Sequence, residues 1–232
     1  MFAFDRGNRL RRIWIVGTGP SLNQTPLDRI KEESIGLNRI HLIYGRTSWR
    51  PSYYFCTDLT RTGGLKPEDL VRWNNDFRVH FGTPMFTRDD LWEERLDEDL
   101  KRVVKFLPFC RHFSPMDGKE PAPNEWHRPV YCRYGGSMLA AIQWASERYD
   151  EIILVGADLG YADGDHRNHF DTRYAPVDSY TSEQARWFNN VLADAHGIAQ
   201  RECAKRGVKI YNATVGGDLR VYPRVDIMTL LA

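Results

Sequence analysis

Residues 12–22, Arg-Ile-Trp-Ile-Val-Gly-Thr-Gly-Pro-Ser-Leu, constrain this chain more than any other stretch. Ile13, Trp14, Ile15 and Val16 form a short apolar run that stops abruptly at Gly17. A buried parallel strand reads this way when it ends in a tight turn. Gly17 and Gly19 let the backbone approach a ligand, or adopt φ > 0, because no Cβ is in the way. Ser21 adds a hydroxyl and amide donors where the chain turns toward a helix, a natural seat for an anion. The reading is a nucleotide-phosphate site of Gly17, Thr18, Gly19 and Ser21 at the carboxyl end of a first strand in an open α/β sheet.

The same region excludes two common nucleotide sites. The dinucleotide fingerprint requires glycine at the third position of Gly-x-Gly-x-x-Gly, where Leu22 stands. The acid expected about twenty residues later, for a ribose diol, is replaced by Asn38. No Gly-x-x-x-x-Gly-Lys-Ser/Thr occurs, so a P-loop is excluded as well.

Further along, residues 25–28 (Thr-Pro-Leu-Asp) predict a helix start, with Thr25 as N-cap, Pro26 at the first helical position and Asp28 closing a capping box. Residues 34–40 predict a second strand ending near Asn38, and residues 53–58 a third, terminated by Asp58. A helix over 66–75, a strand over 77–81 and a charged helix from 87–90 to about Val104 follow. Residues 106–134 break the rhythm with five prolines, Pro108, Pro115, Pro121, Pro123 and Pro129. A loop of that length is a lid forming an acceptor pocket, with Trp126, His127 and Arg128 as recognition residues, or a plain surface excursion.

Order returns at residues 135–145. Met138, Ala141, Ile142 and Ala145 share one helical face, and Gly135, Gly136 and Ser137 stand at its amino terminus. That start is either a second phosphate seat or a simple cap. Residues 151–156 form the clearest strand, with Asp158 just past its end. Residues 181–206 predict a long amphipathic helix whose stripe of Ala185, Phe188, Val191, Ala195, Ile198, Ala199 and Cys203 packs on a sheet. A last strand over 208–212 and a short helix around 225–231 close the pattern. Strands alternating with helices predict an α/β fold: a Rossmann-like open, mostly parallel sheet with helices on both faces and a lid-like insertion.

Composition narrows the partners. Lys plus Arg, 32, nearly cancels Asp plus Glu, 31, so no overall field favours nucleic acid or an anionic membrane. The four cysteines are scattered without a Cys-x-x-Cys pair and read as reduced cytosolic thiols. Residues 1–6 carry no signal-peptide pattern, and no apolar run reaches membrane-spanning length. The expectation is a cytoplasmic protein whose residues 1–232 form a single nucleotide-binding domain with no transmembrane segment and no nucleic-acid partner. Peripheral membrane contact and homo-oligomers stay open.

Chemistry concentrates at the strand ends. Asn38 has donor and acceptor capacity suited to a base edge or a ribose hydroxyl. Asp58 and Asp158 accept from sugar hydroxyls, bind a metal or cap loops. Residues 163–171, Asp-Gly-Asp-His-Arg-Asn-His-Phe-Asp, hold two histidines and three acids. A histidine there is a natural general base near neutral pH, taking the proton of an acceptor hydroxyl as it attacks an activated carbon or phosphorus. The alternatives are a solvated polar loop, or a divalent metal held by Asp163, Asp165 and His166.

Val-Gly-Thr-Gly-Pro-Ser-Leu at 16–22, Asn38, Gly136-Ser137 opening a helix, and Ile-Leu-Val-Gly-Ala-Asp-Leu-Gly-Tyr at 153–161 resemble three related groups. These are the bacterial lipooligosaccharide sialyltransferases, the motility-accessory-factor proteins and the archaeal 6-hydroxymethylpterin diphosphokinases. Tyr-Asn-Ala-Thr-x-Gly-Gly at 211–217 is most similar to the close of the latter two, while residues 60–131 match none of them. The resemblance implies a CMP-activated sugar donor and a histidine base after the Asp-Leu-Gly-Tyr strand. It implies Gly17, Gly19 and Ser21 at the donor phosphate and ribose, Asn38 near the nucleoside, Gly136 and Ser137 near the nucleotide, and Tyr161 near the leaving phosphate. His169 is preferred to His166 as the base because Asn-His-Phe resembles the His-aromatic element of the sialyltransferase loop. Thr18 replaces the sialyltransferase asparagine between the glycines, and Asp58 stands where a second asparagine is expected.

The function expected is a glycosyltransferase moving a nonulosonic acid such as sialic acid, or a similar sugar, from a CMP donor to a carbohydrate or glycolipid acceptor. Its catalytic residues are His169, Tyr161 and Asp158, and it needs no metal or other cofactor. The second reading is Mg²⁺-dependent pyrophosphate transfer from ATP to a 6-hydroxymethylpterin-like alcohol, with Asp58 and Asp158 as metal ligands. The third is a non-catalytic nucleotide-binding module.

Overall fold

The apolar run after Arg12 becomes the middle of a parallel sheet. A computed structural model describes residues 10–57, 67–88, 93–108, 136–160, 168–174 and 181–232. Its strands are β1 (Arg12–Val16), β2 (Ser34–Leu37), β3 (Tyr53–Phe55), β4 (Met85–Arg88), β5 (Val104–Leu107), β6 (Glu151–Val155) and β7 (Lys209–Asn212). They lie in the order β5-β4-β3-β2-β1-β6-β7, and every pairing is parallel. The helices are α1 (Pro67–Val79), α2 (Glu98–Val103), α3 (Ser137–Ser146), α4 (Ser182–Lys205) and α5 (Ile227–Leu230).

β1 is covered on both faces, which is why its sequence is continuously apolar rather than alternating. Ile13 and Ile15 point with Ile35, Leu37 and Phe55 into the layer that contains Ala141 and Ile142 of α3 and Ala195 and Ala199 of α4. Trp14 and Val16 point the other way, with Tyr54 and Cys56, toward Phe77 of α1, Leu100 of α2 and Ile227 of α5. All four residues from Ile13 to Val16 are fully buried.

The strand order explains which helix covers which face. The chain steps outward from β1 to β5, then returns to the far side of β1 for β6 and β7. Right-handed crossovers made in opposite directions place their helices on opposite faces. Between β1 and β6 the connections therefore part company at the carboxyl ends, the topological switch point at which open α/β sheets bind their ligands.

Three sequence expectations are corrected. Residues 77–81 are not a strand: Trp73 and Phe77 are core residues of α1, while Val79 and Phe81 are 52% and 56% exposed. Their alternation does not correspond to a buried face. Thr87 and Arg88 do not start a helix: they belong to β4, and the Thr87 hydroxyl donates across the sheet to the Cys56 carbonyl at 2.5 Å, while residues 89–92 lie outside the described residues. Among the described residues of that stretch the helix is Glu98–Val103, and Val104 begins β5. The capping box at residues 25–28 is also absent. Asp28 accepts from Thr47 (2.8 Å) and from the Ser48 hydroxyl (2.5 Å) and amide (2.7 Å), and the chain makes two short 3₁₀ turns instead. Among the described residues no helix is long and apolar enough to cross a membrane.

Candidate functional site

The glycine loop after β1 is clasped to the loop after β6. The Gly17 amide donates to the Val155 carbonyl at 2.8 Å, and the Gly19 amide to the Gly156 carbonyl at 3.0 Å. Ser21 closes the clasp, its amide donating to Asp158 Oδ1 at 3.1 Å and its hydroxyl to Oδ2 at 2.7 Å. Close approach is what demands glycine here. A Cβ on Gly19 would collide with the Asp158 carboxylate, and one on Gly17 would lie 2.7 Å from Met138 Cε. The second contact shows that the start of α3 sits directly against the first glycine bend.

Asp158 is itself fixed from behind. Its carbonyl accepts from the amides of Asp218 (2.6 Å) and Leu219 (3.1 Å), beyond the end of β7. The neighbouring Ala157 amide donates to Thr214 Oγ1 at 3.0 Å. Partial burial raises the Asp158 carboxyl above its ordinary value, and the hydrogen bonds from Ser21 pull in the other direction. Both carboxylate oxygens thus serve the glycine loop.

A second knot joins β2, β3 and α3. The Ser137 hydroxyl donates to Asn38 Oδ1 at 2.5 Å and accepts from the Thr57 amide at 2.8 Å, with Thr57 Oγ1 3.2 Å away. Asn38 has φ 49°, a left-handed conformation that asparagine tolerates better than most side chains. Its Oδ1 is committed to Ser137, so Nδ2 is the end of the side chain that a ligand would meet. Gly136, at the N-cap of α3, has φ 75° and ψ −159°, a region essentially reserved for glycine. With hydrogen at the N-cap and the Ser137 hydroxyl turned to Asn38, no side chain of the cap covers the first-turn amides of α3.

The segment carrying His169 is tied onto the same edge. The Phe170 amide donates to the Thr18 carbonyl at 3.1 Å, and Asn23 Nδ2 donates to the Phe170 carbonyl at 2.9 Å. Phe170 is buried, and Arg46 lies over its ring. The half-buried ring of His169 stacks on Tyr174, with centroids 3.8 Å apart and planes 21° apart. The histidine is therefore the immediate neighbour of a residue hydrogen-bonded to the glycine loop.

The structure brings together Gly17, Thr18, Gly19, Ser21, Asn38, Gly136, Ser137, Asp158 and His169 at the carboxyl edge of the sheet. Asp58, Gly135, Tyr161, Asp163, Asp165, His166 and residues 109–134 of the predicted lid lie outside the described residues. Sequence reasoning missed Thr57, which anchors Ser137. Its only signal was its place directly before Asp58 at a strand end. It also gave no site role to Thr214 and Asp218, which stabilise the Asp158 loop from the turn after β7. Among the described residues, no group of three His, Cys, Asp or Glu is placed to hold a metal ion.

No family model and no curated protein matches the chain. Among solved structures, the fold is similar to that of the MAf glycosyltransferase from Magnetospirillum magneticum AMB-1, with a TM-score of 0.53 and 17% identity over 94% of this chain. This chain spans 34% of the length of that protein. Structures of the sialyltransferase CST-II are also similar. One, a variant in complex with CMP, gives a TM-score of 0.49 at 11% identity, covering 93% of this chain and 86% of the other. A second, the Campylobacter jejuni protein with CMP-3FNeuAc, gives 0.47 at 12% identity over the same shares. At these identities the likeness is one of fold.

Proposed function

We propose that this chain is a glycosyltransferase that moves a nonulosonic acid, or a similar sugar, from a CMP-activated donor to a carbohydrate or glycolipid acceptor. The observation that carries the reading is the meeting of two anion seats on one edge. The glycine bend after β1 and the uncapped start of α3 touch through Gly17 and Met138. A nucleotide phosphate there would gain amide donors from both, together with the positive end of the α3 dipole. Nδ2 of Asn38 stands at the same edge, suited to a ribose or base oxygen. The motif resemblance to CMP-dependent transferases supports the choice of donor, and the fold shared with the MAf glycosyltransferase is compatible with glycosyl transfer.

His169 is the general base in this mechanism. It takes the proton from an acceptor hydroxyl as that oxygen forms a bond to the anomeric carbon of the donor. The bond from that carbon to the phosphate oxygen breaks, and CMP leaves with the electron pair. The α3 amides and the Tyr161 hydroxyl stabilise the charge that develops on the leaving phosphate. Asp158 acts through Ser21, keeping the glycine loop in its receiving shape.

A thermal-shift panel of CMP, CDP, UDP, GDP and ATP, each with and without Mg²⁺, tests the reading. A ligand present at a hundred times its Kd stabilises by about 2.7 kcal/mol, which for a chain of this size is a rise of about 5–10 °C. The expected result is such a rise with CMP, independent of Mg²⁺. A rise confined to ATP with Mg²⁺ overturns the proposal in favour of pyrophosphate transfer, and no rise with any nucleotide rejects a nucleotide site altogether.

A further inference from the structure

Arg39 follows Asn38 directly, yet its side chain goes to the opposite face of the sheet. It is 9% exposed, and its Nε donates to Asp76 Oδ2 in α1 at 2.7 Å. Its Nη1 donates to two successive carbonyls, those of Arg173 at 2.7 Å and Tyr174 at 2.8 Å. Asp76, 6% exposed, takes His41 Nε2 on its other oxygen at 3.1 Å. The planar guanidinium fits this arrangement because its donors are fixed in a fork, one edge toward a carboxylate and the other toward peptide oxygens.

A buried ion pair is a poor device for stability alone, since desolvation offsets most of the attraction and an apolar pair of similar volume does as well. What an apolar pair does not supply is direction. The two carbonyls held by Arg39 belong to the end of the segment on which His169 rides, and the ring of Tyr174 is the platform behind the imidazole. The front of that segment is held by Thr18 and Asn23. The segment is thus held at Phe170 and again at Arg173 and Tyr174, and the Arg39 bonds act on the residue that carries the stacking ring.

We infer that Arg39, oriented by Asp76, is a positioning residue for His169: it fixes the backbone at Arg173 and Tyr174 so that the Tyr174 ring sets the orientation of the imidazole at the site. The kinetic consequence rests on the reading of His169 as the base, whereas the geometric one does not. Asn38 and Arg39 then tie the two halves of the site to one strand end, Asn38 through Ser137 to the start of α3, and Arg39 through Tyr174 to the histidine.

The test uses the full chain with ¹³C-labelled histidine, the His169 signal being assigned by its loss in His169→Gln. Stacking on Tyr174 gives that signal a ring-current shift, and Tyr174→Leu defines its unstacked value. Arg39→Lys keeps a cation for Asp76 but loses the fork. It is expected to move the His169 signal toward the unstacked value and to lower kcat for release of CMP from a CMP-sugar donor roughly a hundredfold. KM and the CMP Kd are expected to stay within about threefold, because the nucleotide seat lies with Asn38 and the glycine loop. An unmoved His169 signal overturns the inference, and so does an equal loss of CMP affinity, which marks general damage. If Arg39→Lys fails to fold, Tyr174→Leu carries the kinetic test with the same split between kcat and Kd. If the signal moves while His169→Gln retains turnover, positioning stands and the base assignment falls.

Discussion

Gly19→Ala probes the construction of the site through a sign that local conformation alone would get wrong. Gly19 has φ −69° and ψ 163°, ordinary extended backbone. At such a position Gly→Ala stabilises by about 0.4–1 kcal/mol through the unfolded chain. Here the new Cβ would fall on the Asp158 carboxylate, with its Cγ 2.6 Å away and the Gly156 carbonyl oxygen at 2.9 Å. Overpacking of this kind costs about 1–3 kcal/mol. Displacing the carboxylate also forfeits both hydrogen bonds from Ser21, about 1.5–3 kcal/mol each at full strength and about half that at a partly solvated group. The net expectation is a loss of about 3 kcal/mol, a fall in Tm of about 6–12 °C. Asp158→Ala alone should cost about 2 kcal/mol. With the carboxylate gone, Gly19→Ala meets only Gly156 and should cost no more than about 1 kcal/mol. Urea unfolding of the wild type, both single variants and the double variant measures the coupling, expected at about 2 kcal/mol. Additivity within about 0.5 kcal/mol would refute the clasp as the reason for glycine at this position.

Other expectations follow from the same geometry. Ser137→Ala leaves the buried Thr57 amide without its acceptor and should cost about 1–3 kcal/mol in unfolding free energy; a loss below about 0.5 kcal/mol would contradict the knot at the start of α3. Burial, reinforced by His41, holds His80 down to about 3, and burial holds His196 down to about 4. Both are neutral when folded, whereas the unfolded chain takes up protons below 6.5. Their contribution is complete above that pH and is lost as pH falls, by roughly 2 kcal/mol per histidine at pH 5. Thermal unfolding between pH 7 and 5 should show the fall, and His80→Phe should flatten it by about one proton; an unchanged slope counts against the burial argument. His169→Ala should abolish release of CMP from a CMP-sugar donor while CMP binding by calorimetry persists, and full retained activity rejects the base assignment.

Much of the architecture was legible because it is carried by local pattern. The runs at 13–16 and 152–155 are apolar throughout, as strands covered on both faces must be, and the stripe on α4 has clean helical spacing. Two of the failures came where a side chain is used at long range. Thr87 has the chemistry of a helix cap, but its hydroxyl goes to Cys56 across the sheet. Asp28 has the spacing of a capping box, but its Oδ1 accepts from residues about twenty positions away. In the site, Gly17, Gly19 and Ser21 announce a tight loop, whereas their partner Asp158 is 137 residues distant from Ser21 and no local rule pairs the two. Arg39 gives no local sign of its role, because its three acceptors come from α1 and a segment 134 residues further on.

The register of β1 has a consequence for how the chain is made. Its partner on one side, β2, emerges about twenty residues later, but on the other side Arg12 pairs with Glu151. During synthesis, one edge of Ile13–Val16 must wait until some 139 further residues have been made. Contacts so distant in sequence form slowly, since a long loop must close before any bond rewards it. An unsatisfied apolar edge is also a template for pairing with another chain. Shortened forms ending before Glu151 should therefore self-associate rather than fold. The arrival of β6 shields the central strand and closes the clasp between the Gly17–Ser21 loop and Asp158 in a single event.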